Sequence, residues 1–243
     1  MDETFRNVYG DRARADAYAR LEFQNTYYLA YRDLPAIIRG CASGRRAVDF
    51  GCGAGRSTRF LRGLGFEVTG VDIAVEMLER ARAADPGGDY RLIPDGDVGV
   101  LERGAWDLVL SVFTFDNVPT IAKKAALLTG LRGLLAPDGR LVSLVSSPEI
   151  YVNEWASFST KDFPENRAAR DGDTVRIVML DVEDRRPVED VVCGDACYRE
   201  LYARAGLAVL EVHRPLGRED EPYPWVSETR IAPWVIYVLA SRG

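Results

Sequence analysis

The residues best suited to chemistry in this chain begin with a glycine run, Gly51-Cys52-Gly53-Ala54-Gly55, flanked by two acids. Asp49 stands two residues before the first glycine, and Asp72 lies 21 residues after it. Glycine allows tight turns and lets a ligand approach the backbone closely. An apolar stretch precedes the run and a helical pattern follows it, so the loop opens a helix whose first N–H groups lack intrahelical partners. Asp72 falls at the end of the next apolar run, where a carboxylate can accept hydrogen bonds from both hydroxyls of an adenosine ribose. In open α/β sheets, ligands sit at such strand ends, near a switch in strand order. The pattern predicts an adenosine-type ligand. It differs from the dinucleotide fingerprint G-x-G-x-x-G/A, because the third glycine comes one residue early. The negative charge of Asp49 also disfavours a pyrophosphate and suits an ammonium and a sulfonium.

The elements that must position these residues follow from periodicity. Arg46–Phe50 reads as a strand entering the glycine loop, and residues 56–64 as a helix stopped by Gly65. Residues 66–71 form a second strand ending at Asp72, and a helix through Val75, Leu78 and Ala81 closes at Pro86-Gly87-Gly88. Tyr90–Ile93 is a weak third strand and Asp107–Phe113 a strongly apolar fourth. Pro119 is expected to open a long helix carrying Leu127, Leu128, Leu131, Leu134 and Leu135. Pro137-Asp138-Gly139 reads as a turn before a fifth strand at Leu141–Val145. Residues 148–196 break the rhythm and read as an insertion with one β-like run at Val175–Leu180. A helix over Ala196–Ala205 and strands at Ala208–Val212 and Trp234–Ala240 complete the pattern. Alternating strands and helices predict a parallel, doubly wound α/β sheet. Before it, residues 1–33 read as one or two helices, with Asp33 and Pro35 starting the next.

Composition narrows the function classes. The 243 residues carry a net charge of −6 and a pI near 5.1, against the basic surface that nucleic acid normally requires. No apolar run approaches a membrane span, and the acidic start Met1-Asp2-Glu3 lacks the shape of a secretory leader. A cytoplasmic protein with free thiols at Cys41, Cys52, Cys193 and Cys197 is expected. Cys193 and Cys197 could supply two corners of a zinc site, but with His213 the sole histidine no metal site is expected.

Four phrases, in order, then resemble the class I, S-adenosylmethionine-dependent methyltransferases. Val48-Asp49-Phe50-Gly51-Cys52-Gly53-Ala54-Gly55 resembles the first motif, and Gly70-Val71-Asp72-Ile73 with Met77-Leu78 the second. Trp106-Asp107-Leu108-Val109-Leu110-Ser111 resembles the strand facing the methyl donor, and Leu134–Leu141 the helix–turn–strand before the substrate region. The likeness is to the small-molecule, ubiquinone-biosynthesis-like group. It implies a Rossmann-like, mostly parallel seven-stranded sheet with an antiparallel last strand, N-terminal helices and an inserted lid. The domains would be a helical lid at 1–35 and a methyltransferase domain at 36–243, with 148–196 capping the acceptor.

The resemblance also implies roles. Asp49, the loop residues Gly51, Cys52 and Gly53, and Tyr18 would hold the methionine end of S-adenosylmethionine. Asp72 would bind the ribose, Ile73 and Met77 would pack near the adenine, and either Asp95 or Asp97 would reach its amino group. Ser111 and Phe113 would line the donor cavity. Transfer from a sulfonium to a small-molecule acceptor is an in-line displacement with the acceptor lone pair about 3 Å from the methyl carbon, and it leaves S-adenosylhomocysteine. A base is needed only when the acceptor must lose a proton. Two residues are candidates: His213, which could also be an ordinary strand-end histidine, and Asp116, which could also be a turn or cap residue. Trp155, Phe158, Tyr223 and Trp225 are candidate walls for the acceptor. Phe115-Asp116-Asn117-Val118-Pro119 differs from the Asp/Asn-Pro-Pro-Tyr/Phe phrase of methyltransferases that modify nucleobases or glutamine, which again argues against nucleic acid. Other readings are a non-methylating enzyme such as a cyclase or decarboxylase, or a non-catalytic cofactor-binding protein. Pairing as a homodimer is left open.

Overall fold

The computed structural model describes residues 21–242. Seven strands form one sheet: β1 (Arg46–Phe50), β2 (Glu67–Asp72), β3 (Asp89–Leu92), β4 (Trp106–Val112), β5 (Leu135–Ser146), β9 (Leu207–His213) and β10 (Trp234–Ser241). Their order is β3-β2-β1-β4-β5-β10-β9. Pairings from β3 through β5 are parallel, and β10 runs antiparallel to both β5 and β9. The order reverses at β1, between β2 and β4, which is where the glycine loop leaves the sheet. This is the predicted Rossmann-like α/β architecture, antiparallel last strand included.

Alternation along each strand explains why both faces are covered. Ala47, Leu108, Leu110, Val142, Leu144, Ile236 and Val238 join one buried cluster. Val48, Phe50, Val109, Leu141, Val145, Val235, Tyr237 and Leu239 join another. Against the first pack α1 (Thr26–Arg32), α2 (Leu34–Cys41) and α3 (Arg56–Gly63). Against the second pack α5 (Ile121–Arg132) and α6 (Asp195–Arg204). The remaining helix, α4 (Val75–Ala84), buries Leu78 and Ala81 with Cys52 and Tyr90. Among the described residues, no helix is long and apolar enough to cross a membrane.

Two local expectations are corrected. Pro119 does not open α5; Thr120 does, as its Oγ1 accepts from the Lys123 N–H at 3.1 Å and satisfies a first-turn donor. Pro137-Asp138-Gly139 does not separate helix from strand. It lies inside β5, where the partner of β4 jumps from Leu135 opposite Trp106 to Arg140 opposite Leu108. The extra residues form a bulge. Gly139 is needed there, because a Cβ would stand 2.5 Å from the Trp106 carbonyl oxygen.

The insertion builds a small antiparallel sheet from β6 (Phe158–Ser159), β7 (Thr174–Met179) and β8 (Val188–Val191). Its apolar residues Phe158, Ile177, Met179 and Val188 join the cluster that also holds α1 and Trp234. A buried carboxylate ties these pieces together. Glu228 Oε1 accepts from Thr26 Oγ1 at 2.6 Å and from the Ala156 N–H at 2.8 Å. Glu228 Oε2 accepts from the N–H groups of Val226 at 2.8 Å and Ser227 at 3.0 Å. Helix α1, the insertion and the loop before β10 thus share one acceptor. Glu228→Ala leaves these donors without their partner and is expected to lower unfolding stability by on the order of 3 kcal/mol. Urea denaturation checks this; an unchanged midpoint would show that the carboxylate is dispensable. Glu228→Gln, which keeps one oxygen acceptor, should lose less.

Candidate functional site

The glycine loop is shaped by its own hydrogen bonds. The N–H groups of Gly51 and Cys52 both donate to the Val71 carbonyl, at 2.8 and 3.0 Å. The Gly53 N–H donates to Asp72 Oδ2 at 2.8 Å, and the Gly55 N–H to the Cys52 carbonyl at 2.9 Å. Gly51, Gly53 and Gly55 all have left-handed φ, which L side chains rarely adopt. At Gly51 a Cβ would also stand 2.1 Å from Thr114 Oγ1. These four amides are therefore spent within the fold, and they form no cradle for a pyrophosphate. The loop presents a carboxylate instead. Asp72 Oδ1 accepts from the Ala74 N–H at 2.8 Å, and burial raises its pKa, opposed by these backbone donors. A ligand that brings hydroxyl or amino donors suits such a wall.

One cavity runs across the C-terminal ends of the strands. Toward β2 and β3 its walls include Gly51, Cys52, Gly53, Asp72, Ile73, Met77 and Asp95. Toward β5 and β10 they include Phe113, Asp116, Ser146, Tyr151, Asp190 and Trp234. Asp95 and Asp97, alternatives in the sequence, are separated by the backbone. Asp95 takes a left-handed φ of 54°, lines the cavity and pairs with Lys123. Asp97 turns away and accepts from the Gly99 N–H at 2.8 Å, capping a short 3₁₀ turn.

Several expected contacts are not made. Asp49 is fully buried beneath the cavity wall, because Ser57 and Thr58 at the start of α3 donate to its Oδ2 at 2.7 and 2.6 Å. Its Oδ1 has no partner, and Ser57 faces the cavity in its place. Ser111 is fully buried on β4, between β1 and β5, and does not line the cavity. His213 ends β9 at the sheet edge, half-exposed, with Nε2 2.8 Å from Glu211 Oε2 and away from the cavity. It is therefore not placed to serve as the base. Tyr223 and Trp225 pack on one another and on Tyr28, not on the cavity, and Trp155 is buried with its Nε1 donating to the Ile150 carbonyl. Of the proposed walls only Phe158 lines the cavity. Tyr18 lies outside the described residues.

Tyr27 and Trp234, not singled out in the sequence, join the expected Phe113 and Phe158 in an aromatic wall, with Phe113 and Trp234 ring centres 4.5 Å apart. Arg56 sits over the rings of Phe23, Tyr27 and Tyr31 while donating to the Leu21 and Glu22 carbonyls. Asp116 is buried, accepts from the Ser146 N–H at 3.1 Å and hydroxyl at 2.8 Å, and meets Asp190 from the insertion. Burial, and then the Asp190 charge, push the Asp116 carboxyl up to about 7. Tyr151 donates to Asp190 Oδ2 at 3.1 Å, and Asn117 donates to Asp190 Oδ1. Beneath them Lys124 is fully buried and donates to the carbonyls of Phe115 and Val191. In the sequence, Asp116 and the aromatic residues pointed to this end of the cavity. Asp190 and Tyr151 lie 74 and 35 residues from Asp116, and nothing local links them.

Residues 48–141 match the family model described as a methyltransferase domain. The matched segment reaches from β1 into β5 and holds the glycine loop, Asp72 and Asp116. A ubiquinone biosynthesis O-methyltransferase of Bordetella pertussis is 31% identical over 104 residues, which are 41% of this chain and 42% of that protein. The likeness thus spans about two-fifths of the length of the curated relative. Among solved structures, a protein of Pyrococcus horikoshii is similar with a TM-score of 0.63 at 16% identity, covering 93% of this chain and 98% of its own. An S-adenosylmethionine-dependent methyltransferase of Mesorhizobium loti gives a TM-score of 0.60 at 22% identity, covering 85% and 96%. These structures share the fold of this chain.

Burial leaves a signature at Asp49, whose carboxyl is pushed up to about 6 against the Ser57 and Thr58 donors. The folded protein thus binds a proton there more tightly than the unfolded chain, whose aspartates titrate near 3.9. That contribution is fully present below about pH 4 and is lost as pH rises through about 6, a change on the order of 3 kcal/mol. Asp49→Asn has no such loss. Its melting temperature relative to the wild type should rise between pH 4 and pH 7; a constant difference would show that Asp49 titrates normally.

Proposed function

We propose that the protein is an S-adenosylmethionine-dependent methyltransferase acting on a small molecule. The observation that carries this reading is the loop: its amides are satisfied internally, and the wall it offers a ligand is the Asp72 carboxylate. A carboxylate wall beneath a methyltransferase-domain match suits ribose hydroxyls and opposes a pyrophosphate. In this reading Asp72 accepts from the ribose, while Ile73 and Met77 provide apolar surface for the adenine. Asp95 accepts from its amino group. Gly51, Gly53 and Ser57 flank the methionine end, with Arg56 as the nearby cation for its carboxylate. When bound, S-adenosylmethionine supplies a methyl group already activated on sulfur.

The chain's own part is positioning and proton removal. Tyr27, Phe113 and Trp234 shield the reacting end from water and hold the acceptor's apolar body. Asp116 lies just beyond β4, and its raised pKa fits a general base working near neutrality. Its Ser146 contacts fix the carboxylate. The name of the Bordetella relative supports oxygen as the methylated atom.

Calorimetry with S-adenosylmethionine, S-adenosylhomocysteine and NAD tests the ligand. The first two should bind, and Asp72→Ala should weaken them at least about tenfold; a response to NAD alone would overturn the reading. For the reaction, a labelled methyl group should enter the small-molecule fraction of a cell extract, with S-adenosylhomocysteine as the second product. Asp116→Asn should reduce that turnover by about a hundredfold or more while S-adenosylhomocysteine still binds. Wild-type turnover should climb as pH rises through about 7, as Asp116 loses its proton. His213→Gln should turn over like the wild type. Full activity in Asp116→Asn would remove it as the base.

A further inference from the structure

Lys124, one turn into α5, is fully buried. That position is costly twice over. The start of a helix carries partial positive charge, which disfavours a cation. Burial of an ammonium is also expensive unless charges and hydrogen bonds compensate it, and an apolar side chain would fill the space without that cost. What surrounds the ammonium accounts for it. Lys124 Nζ donates to the carbonyl of Phe115, the residue before Asp116, and at 3.4 Å to the carbonyl of Val191, the residue after Asp190. One side chain of α5 thus bridges the turn that carries Asp116 and the strand that carries Asp190, and both acids line the cavity.

The ionisable groups at this point come from several elements. Burial and then Asp190 raise the Asp116 carboxyl, and Lys124 lowers it. Burial lowers the proton affinity of Lys124, and Asp116, Cys193, Asp190 and Cys197 raise it. Tyr151, Tyr198 and Tyr202 also feel the Asp116 charge. Burial pushes these three phenols and the two thiols up, so they stay neutral near pH 7. Two acids that line one cavity repel when both ionise, and a cation behind them offsets that repulsion.

We propose that Lys124 is a positioning residue for methyl transfer: its buried ammonium ties the Asp116 turn to the insertion and offsets the two acids, so that Asp116 is an ionised carboxylate when the acceptor must lose a proton. This rests on the methyltransferase reading and adds to it a group that acts through the base. Lys124 does not line the cavity, so its effect on the reacting atoms passes through Asp116. The same contacts explain why a lysine occupies a buried position early in a helix.

Nuclear magnetic resonance reads these charges directly. The chain has three lysines, Lys123, Lys124 and Lys161. In protein isotopically labelled at lysine Cε, Lys123→Arg and Lys161→Arg assign the Lys124 signal by elimination, and it should be that of an ammonium at pH 7.5. In protein labelled at aspartate Cγ, the signal lost in Asp116→Asn marks Asp116. Its midpoint should lie at about 7 and rise by at least about one pH unit in Lys124→Met. Lys124→Arg, which keeps the charge, should stay closer to the wild-type midpoint. Transfer of a labelled methyl group into the small-molecule fraction of a cell extract should fall at least about fivefold at pH 7 in Lys124→Met, and return to within about twofold of the wild type at pH 9. A neutral amine at Lys124, an unmoved Asp116 midpoint, or a loss of transfer equal at pH 7 and pH 9 would each overturn the proposal. If Lys124→Met does not fold, the lysine signal of the wild type decides alone. Failure of the wild type to bind S-adenosylhomocysteine or to transfer any methyl group would instead overturn the methyltransferase reading, and the two spectra would still judge Lys124.

Discussion

The amides of Gly51 and Cys52 converge on one carbonyl, that of Val71, and the amide of Gly53 reaches the neighbouring Asp72 carboxylate. This folding of the loop onto the end of β2 is the constraint on which the site depends. It fixes Asp72 at the cavity wall and consumes the donors that would otherwise attract an anion. It also sets the start of α3, where Ser57 and Thr58 draw Asp49 inward. The left-handed glycines are required because the chain must reverse beside Thr114 and Tyr90, whose side chains occupy the space a Cβ would need at Gly51 and Gly55. One turn thereby decides which kind of ligand the strand ends can take.

The opposite end of the cavity obeys a different constraint. There the sheet supplies Asp116 and Ser146, but the enclosure comes from β6, β7 and β8, α1 and Trp234. Aromatic packing between Tyr27, Phe113, Phe158 and Trp234 joins these parts, and Glu228 supplies hydrogen bonds where their backbones meet. The insertion is thus a wall of the site, and its buried acid acts on the same space as the acid beyond β4. Low dielectric makes that juxtaposition consequential: the same burial that excludes water raises the proton affinity of Asp116.

Much of the sheet was legible in the sequence, because strand and helix periods differ and glycine and proline punctuate them. Arg46–Phe50 and the run ending at Asp72 are found where the pattern puts them. The misses have local causes. Pro137-Asp138-Gly139 has the composition of a turn, yet a bulge uses the same residues. Pro119 has the profile of a helix start, yet the hydroxyl of Thr120 makes the better cap. His213 is a residue type often used as a base but sits on the edge strand, a position that depends on strand order and not on residue type. Asp95 and Asp97 are equivalent by spacing, and only the left-handed backbone at Asp95 turns one toward the cavity.

The sequence by itself determined the glycine loop, the acid after it and the alternating sheet, since each is a local pattern of spacing and periodicity. It pointed thereby to the class of ligand proposed, an adenosine-bearing one without a pyrophosphate. Only the tertiary structure decided which acids face the cavity and which are spent as caps or buried supports. Only it brought Asp190 and Tyr151 beside Asp116, across 74 and 35 residues of chain. The physical reason is that the glycine loop is encoded by consecutive backbone geometry, whereas the far end of the cavity is made by packing an insertion over strand ends. Packing partners far apart in sequence leave no period to read.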